Sequence, residues 1–213
     1  MRIAIDLDNT VYKFTEEFLK YTNVRFNHTD DPANVDRWEF WESPNMQIGK
    51  NEFDVAFKEF TEQKAWHEIP LFDDAKFALC ALSSLGHQLY YMTDRPKDAR
   101  RATLKSLLSN GLPIDSVIFL SYKEKPSVAK QLGIEIAIDD KIETIEGYKE
   151  VGIIPVFKEA THNIEYIEKH NYISQFSPVK SCKTMSDFLY LVENINSKKK
   201  IDKLYSNVKK LDT

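Results

Sequence analysis

Ile3-Ala4-Ile5-Asp6-Leu7-Asp8-Asn9-Thr10 is a short β-branched apolar run that stops at two carboxylates one residue apart. Such a run reads as a buried strand whose carboxyl end carries the acids. In open α/β sheets that end is where ligands bind. Alternation along an extended chain sends Asp6 and Asp8 to the same side, and a turn after Asp6 can aim both at one point. Two anions so close repel and call for a cation. The donors are hard oxygens with no thiolate or imidazole beside them, which points to Mg2+. The same residues also fit a plain strand followed by a polar turn.

Downstream, Phe14, Phe18, Tyr21 and Phe26 fall at near-helical spacing and predict a helix over about 13–27. Residues 28–50 lose periodicity: Asp30-Asp31-Pro32, Ser43-Pro44-Asn45 and Gly49 are turn formers, yet Trp38, Phe40 and Trp41 lie among them. A second helix is expected from Asn51 as N-cap to about Lys64, with Phe53, Phe57 and Phe60 on one face. Residues 13–72 are too long for a plain crossover and read as a small helical cap subdomain inserted after the first strand, over the acids.

From Asp73 the pattern becomes regular. A helix ends at Gly86, and the strand His87 to Met92 delivers Thr93-Asp94-Arg95-Pro96. A helix to Gly111 and the strand Val117 to Leu120 lead to a polar loop with Lys123 and Lys125. A short helix ending at Gly133 precedes the strand Ile134 to Ile138, which delivers Asp139 and Asp140. The next helix reaches Gly152, and Ile153 to Phe157 reads as a last strand, placed at the sheet edge by Pro155. Strands alternating with helices in this way define an α/β class: a three-layer, Rossmann-like parallel sheet built from residues 1–12 and 73–196. Residues 158–183 carry no clear pattern. Phe188, Leu191, Val192 and Ile195 mark a closing helix, and 197–213 form a Lys-rich tail in which Ile201, Leu204, Tyr205 and Val208 allow a helical extension.

The bulk properties narrow the function classes. The 213 residues carry a formal charge of -4, so no global basic field recruits nucleic acid, and the tail lysines read as a solvated run. Cys80 and Cys182 are far apart and in apolar contexts, as expected of reduced thiols in a cytoplasmic protein. No stretch approaches the roughly 18 apolar residues of a membrane helix, and the N-terminus shows no signal-peptide pattern. His28, His67, His87, His162 and His170 show no ligand spacing, and neither a P-loop nor a Gly-x-Gly-x-x-Gly turn is present. The sequence leaves a homodimer open.

Reactive side chains thus end successive strands: Asp6 and Asp8, then Thr93, then a lysine loop, then Asp139 and Asp140. This ordered set, Asp-x-Asp-x-Thr, strand-Thr, Lys and Asp-Asp, resembles the four motifs of the haloacid dehalogenase-like (HAD) phosphohydrolases over residues 2 to about 157. Response-regulator receivers use similar residues, but their acidic pair ends the first strand, so the order here favours the hydrolase. The resemblance implies a Mg2+-dependent phosphomonoesterase in which Asp6 attacks phosphorus and forms an aspartyl-phosphate. It implies that Asp8 acts as general acid and base while its carbonyl binds the metal. Asp139 and Asp140 would complete the metal site with Asp6, one of them directly and the other through water, Thr93 would bond a phosphate oxygen, and Lys125, or alternatively Lys123, would offset charge. Asn9 stands where many members have glycine, and Asn tolerates the left-handed backbone. Asp94-Arg95 replaces the Ser-Pro of the mammalian 5'(3')-deoxyribonucleotidases, a branch that the length and aromatic content of the insert otherwise resemble. The implied substrate is a small phosphorylated molecule, first a nucleoside monophosphate. Trp38, Trp41 and Trp66 are then candidate ring contacts, and Asp94 and Arg95 line the substrate. A sugar phosphate, a nucleic-acid end and a non-catalytic binding module are the alternatives.

Overall fold

The computed structural model describes the backbone of residues 1–63, 65–173 and 180–209, with side chains described outside 170–173 and 201–209. Its centre is β1 (Arg2–Ile5), flanked by β2 (Gln88–Thr93) and β4 (Ile136–Asp139). With β3 (Ser116–Phe119), β5 (Ile154–Lys158) and β6 (Ser181–Cys182) they form a six-stranded sheet in the order β3-β2-β1-β4-β5-β6, every pairing parallel. The chain order reverses between β1 and β4, the position at which open α/β sheets leave a crevice for ligands.

Alternation along the strands explains why both faces are covered. Ile3 and Ile5 of β1 and Ile136 and Ile138 of β4 join the larger apolar cluster, which also holds α3 (Ala75–Ser84) and α8 (Met185–Lys209). Ala4 and Ala137 point to the other face, among Ala129, Ile145 and Tyr148 of α5 (Lys125–Gln131) and α6 (Ile142–Glu150). The small residues let these helices approach closely. A Cβ on Gly147 of α6 would stand 2.6 Å from Pro126 Cγ of α5, which explains glycine within a helix. Between β2 and β3, α4 (Arg100–Ser109) makes the crossover, and α7 (Ile164–Ile173) follows β5. Gly86 ends α3 at φ 82°, as its sequence position predicts.

Between β1 and α3 lies the insert. It holds α1 (Phe14–Phe26), α2 (Lys50–Glu62) and short 3-10 turns at Pro32–Asn34, Phe40–Glu42 and Ala65–His67. Chain entry and exit are stapled together, Lys13 N donating to Pro70 O at 2.9 Å and Phe72 N to Val11 O at 3.0 Å. Its interior is aromatic: Phe14 stacks on Trp66 at 5.4 Å, and Phe18 meets Phe53 and Phe60 edge-on. The aperiodic 28–50 stretch is organised by buried Asp30, whose carboxylate accepts Gln47 N at 2.6 Å and Ile48 N at 3.0 Å. Local turn chemistry, not a hydrophobic stripe, fixes that segment.

Two expectations differ from the structure. Gly49, not Asn51, caps α2, because Glu52 reaches back to accept the Gly49 amide at 3.1 Å. Pro155 does not mark an edge strand, nor is β5 the last strand: β6 pairs with β5, but only at Phe157 and Lys158. Pro155 lies outside that short pairing, so no ladder bond on the β6 side is lost. The helical extension allowed by the Lys-rich segment is present, since α8 runs through it to Lys209, and Lys199 pairs with Glu135 at 2.7 Å. The side chains of Ile201, Leu204, Tyr205 and Val208, and residues 210–213, lie outside the described residues, as do Lys64 and 174–179.

Candidate active site

The carboxyl ends of β1, β2 and β4 and the start of α5 converge on one point. Asp6 follows β1 directly, and its amide continues the pairing to β4 by donating to Ile138 O at 3.0 Å. The chain then coils, with Val11 N and Tyr12 N both donating to Leu7 O at 2.8 Å. This tight turn needs Asn9 at φ 56°, in the left-handed region that Asn tolerates. Asn9 Oδ1 also accepts from Thr15 N and Thr15 Oγ1, both at 2.9 Å, so one residue shapes the turn and caps α1.

Lys125 opens α5 and is buried. Its Nζ donates to Asp6 Oδ1 at 2.5 Å and to Asp139 Oδ2 at 2.8 Å, whereas Lys123 is exposed. Asp139 Oδ1 accepts the Lys141 amide at 3.0 Å. Asp140 follows, fully buried, and neither carboxylate oxygen has a hydrogen-bond partner. Oxygens of Asp6, Asp139 and Asp140 lie within 4.8 Å of one another. Burial drives the Asp6 carboxyl well above its usual range; Lys125 opposes this, and Asp139, Asp140 and Asp8 add to it. Asp139 is raised too, by burial against Lys125. Burial works against the Lys125 ammonium, but Asp139 and Asp6 outweigh it and hold the group charged well above the ordinary lysine range. Lys125 is the ammonium bonded to Asp6 and Asp139, and three carboxylates held this close and this buried favour a bound cation. Three hard oxygen donors, one of them unpartnered, fit Mg2+.

Asp8 is engaged differently. Arg95 Nε lies 3.1 and 3.0 Å from its two oxygens and Nη2 lies 2.7 Å from Oδ1. The guanidinium is buried, donates from Nη1 to Thr103 Oγ1 at 3.2 Å, and packs over the rings of Tyr12 at 4.7 Å and Trp66 at 4.9 Å. Fully buried Thr93 shapes the turn that brings Arg95 in, its hydroxyl accepting the Arg95 amide at 3.2 Å. Asp94 is exposed at the rim.

Above these groups is a cavity of about 240 Å³, roofed by the insert. Asp6, Asp8, Arg95, Lys125, Asp139 and Asp140 form its floor, and Trp38, Trp41, Phe53, Phe57 and Trp66 form its walls. Trp66 is a fixed wall, 1 % exposed, with its indole N–H bonded to Thr61 Oγ1 at 3.1 Å. Trp41 meets Phe53 edge-on at 4.8 Å. Trp38 keeps 36 % exposure and covers Lys141, whose Nζ lies 3.9 Å from its ring and 4.2 Å from that of Tyr122. Burial between these rings lowers the Lys141 ammonium from its usual value, with Glu143 and Glu39 opposing. Lys141, Tyr122 and Glu39 all line the cavity and were not legible as site residues; only the position of Lys141 beside Asp139-Asp140 signalled it.

A six-stranded parallel sheet of this order, with an insert after β1 and acids at its carboxyl edge, is the haloacid dehalogenase-like fold. The solved structures agree. The chain superposes on a structure described as a predicted phosphatase of Clostridium acetobutylicum with TM-score 0.62 and 15 % identity, over 91 % of this chain and 98 % of that one. It superposes on the L-2-haloacid dehalogenase of Xanthobacter autotrophicus with TM-score 0.56 and 13 % identity, over 90 % and 98 %. In sequence it is 26 % identical over 171 residues, 76 % of this chain and 89 % of the relative, to a protein of Oceanobacillus iheyensis named "Putative nucleotidase". No family model matches the chain.

Proposed function

We propose that the chain is a Mg2+-dependent phosphomonoesterase that works through an aspartyl-phosphate on Asp6 and acts on nucleoside monophosphates. The observation that carries the reading is the buried Asp6, Asp139 and Asp140 cluster with the Lys125 ammonium bonded to two of its members. Both dehalogenases and phosphatases share the fold, so the site chemistry must choose between them. A buried acid cluster with an unpartnered carboxylate argues for a cation and an anionic ester.

Asp6, Asp139, Asp140 and the Asp8 carbonyl would hold Mg2+, which when bound offsets the phosphate charge and lets the anionic nucleophile approach it. Asp6 attacks phosphorus and the ester oxygen leaves with a proton from Asp8; Asp8 then takes a proton from the water that cleaves the aspartyl-phosphate. Lys125 holds the Asp6 carboxylate in place and balances charge as it turns from nucleophile into acyl phosphate. Arg95 sets the Asp8 carboxylate at the cavity floor, and the proton that Asp8 passes to the ester oxygen reaches it from the bound monoester or from water. The aromatic walls exclude water and offer flat surfaces to a base, with Trp38 and Trp41 as the available rings. That lining, with the relative named a nucleotidase, favours a nucleotide over a sugar phosphate.

The test is phosphate release from deoxynucleoside and nucleoside monophosphates, sugar phosphates and 3'-phosphorylated oligonucleotides. Wild type should release phosphate from the monophosphates, lose activity in EDTA and recover it with Mg2+. Asp6→Asn should abolish turnover in a folded chain. Turnover retained by Asp6→Asn refutes the mechanism, and activity confined to sugar phosphates, unchanged by Trp38→Ala and Trp41→Ala, refutes the substrate.

A further inference from the structure

The turn between β5 and α7 lies in the part of the sequence without a readable pattern, yet it reaches the acid cluster. Asn163 is fully buried and its amide is saturated: Oδ1 accepts Ala160 N at 3.0 Å, and Nδ2 donates to Asp140 O at 2.8 Å and to Lys158 O at 2.9 Å. These bonds tie the turn to itself, to the end of β5 and to the peptide of Asp140. His162 adds a second donor to the same carbonyl, its Nε2 at 3.2 Å from Asp140 O and 3.3 Å from Asp140 Oδ2. The ring of Trp38 packs edge-on against His162 at 5.3 Å, so the insert covers this contact.

The consequence follows from Asp140. Its carboxylate is fully buried with no hydrogen-bond partner, and carboxylates are normally buried only with partners. Its orientation is set by the approach of His162 Nε2 to Oδ2 and by its backbone, on whose carbonyl the His162 and Asn163 side chains converge. We propose that His162 and Asn163 are positioning residues for the metal site, holding Asp140 with its carboxylate turned toward Asp6 and Asp139. The inference rests on the metal-dependent reading of the site but not on the identity of the substrate. Groups of this kind, which hold a ligand without touching the metal, typically change metal affinity by roughly 10- to 100-fold when removed.

The experiment titrates Mn2+ into the full-length chain without substrate, reading free Mn2+ by electron paramagnetic resonance, with Mg2+ as competitor. Wild type should bind Mn2+ and Asp140→Asn should not. His162→Phe, which keeps the ring volume and removes the donor, and Asn163→Ala should each weaken Mn2+ binding by roughly 10- to 100-fold. His162→Gln, whose amide can donate to the Asp140 carbonyl, should recover most of that loss. With saturating Mg2+ the phosphatase kcat of His162→Phe should return to within a few-fold of wild type, a split that general loss of folding would not give. If Asn163→Ala does not fold, the two His162 variants decide. Mn2+ affinity unchanged in folded His162→Phe overturns the inference. A wild-type chain that binds no Mn2+ overturns it together with the metal site. Mn2+ binding that follows the predicted ranking, in a chain that hydrolyses no phosphate ester, sinks the phosphatase reading and leaves this one standing.

Discussion

Replacing Arg95 by Met keeps much of the stem volume and removes the guanidinium, so Asp8 loses donors at 2.7, 3.0 and 3.1 Å. Unit charges about 4 Å apart interact by about 4 kcal/mol at an effective dielectric of about 20. Asp8 keeps 19 % side-chain exposure on the cavity side, so water recovers part of this and about 2–3 kcal/mol of coupling should remain. The single variant should lose more, about 3–5 kcal/mol, because Asp8 is left without its partner and the packing on Tyr12 and Trp66 goes too. For a chain of this length that corresponds to a Tm lower by roughly 6–20 °C. The assay is a double-mutant cycle of Arg95→Met and Asp8→Asn, read by reversible denaturant unfolding without metal. The Arg25–Glu59 pair serves as comparison: its contacts of 2.9 and 3.2 Å are nearly as short, but it sits at the surface, and its coupling should be several-fold smaller. A coupling for Arg95–Asp8 no larger than that of Arg25–Glu59 would refute the argument that burial makes this pair strong.

Two further outcomes follow from the same geometry. Lys125→Ala should lower kcat by about 100-fold or more, the scale of losing a charge-stabilising donor in a dry site, while Lys123→Ala stays within a few-fold of wild type; the reverse ranking would move the role to Lys123. Asn9→Ala should cost about 2–3 kcal/mol in unfolding measurements, the sum of left-handed strain and a lost cap, and Asn9→Gly should cost less because glycine accepts the φ of 56°. Equal losses would show that the cap alone matters.

Sequence by itself determined the parallel α/β core and the placing of acids, Thr93 and Lys125 at successive strand ends. Strand period, helix period and the glycine stops are local properties, and chain order alone carries each side chain to the same sheet edge. Lys125 over Lys123 rested on the resemblance alone; the burial of Lys125 against Asp6 and Asp139 is a tertiary feature. Tertiary structure decided what these groups do to one another. Arg95 read as a substrate contact; it lines the cavity, but its pairing with Asp8 is a tertiary feature, because Thr93, Thr103, Tyr12 and Trp66 from four separate segments build its berth. Trp66 became a fixed wall and Trp38 an open one, a distinction set by packing and invisible in spacing. The sixth strand and the His162-Asn163 turn escaped the sequence because a two-residue strand has no periodicity to read. Their hydrogen bonds join residues about 20 positions apart, to Asp140 and Glu159, and such pairings exist only once the chain has closed on itself.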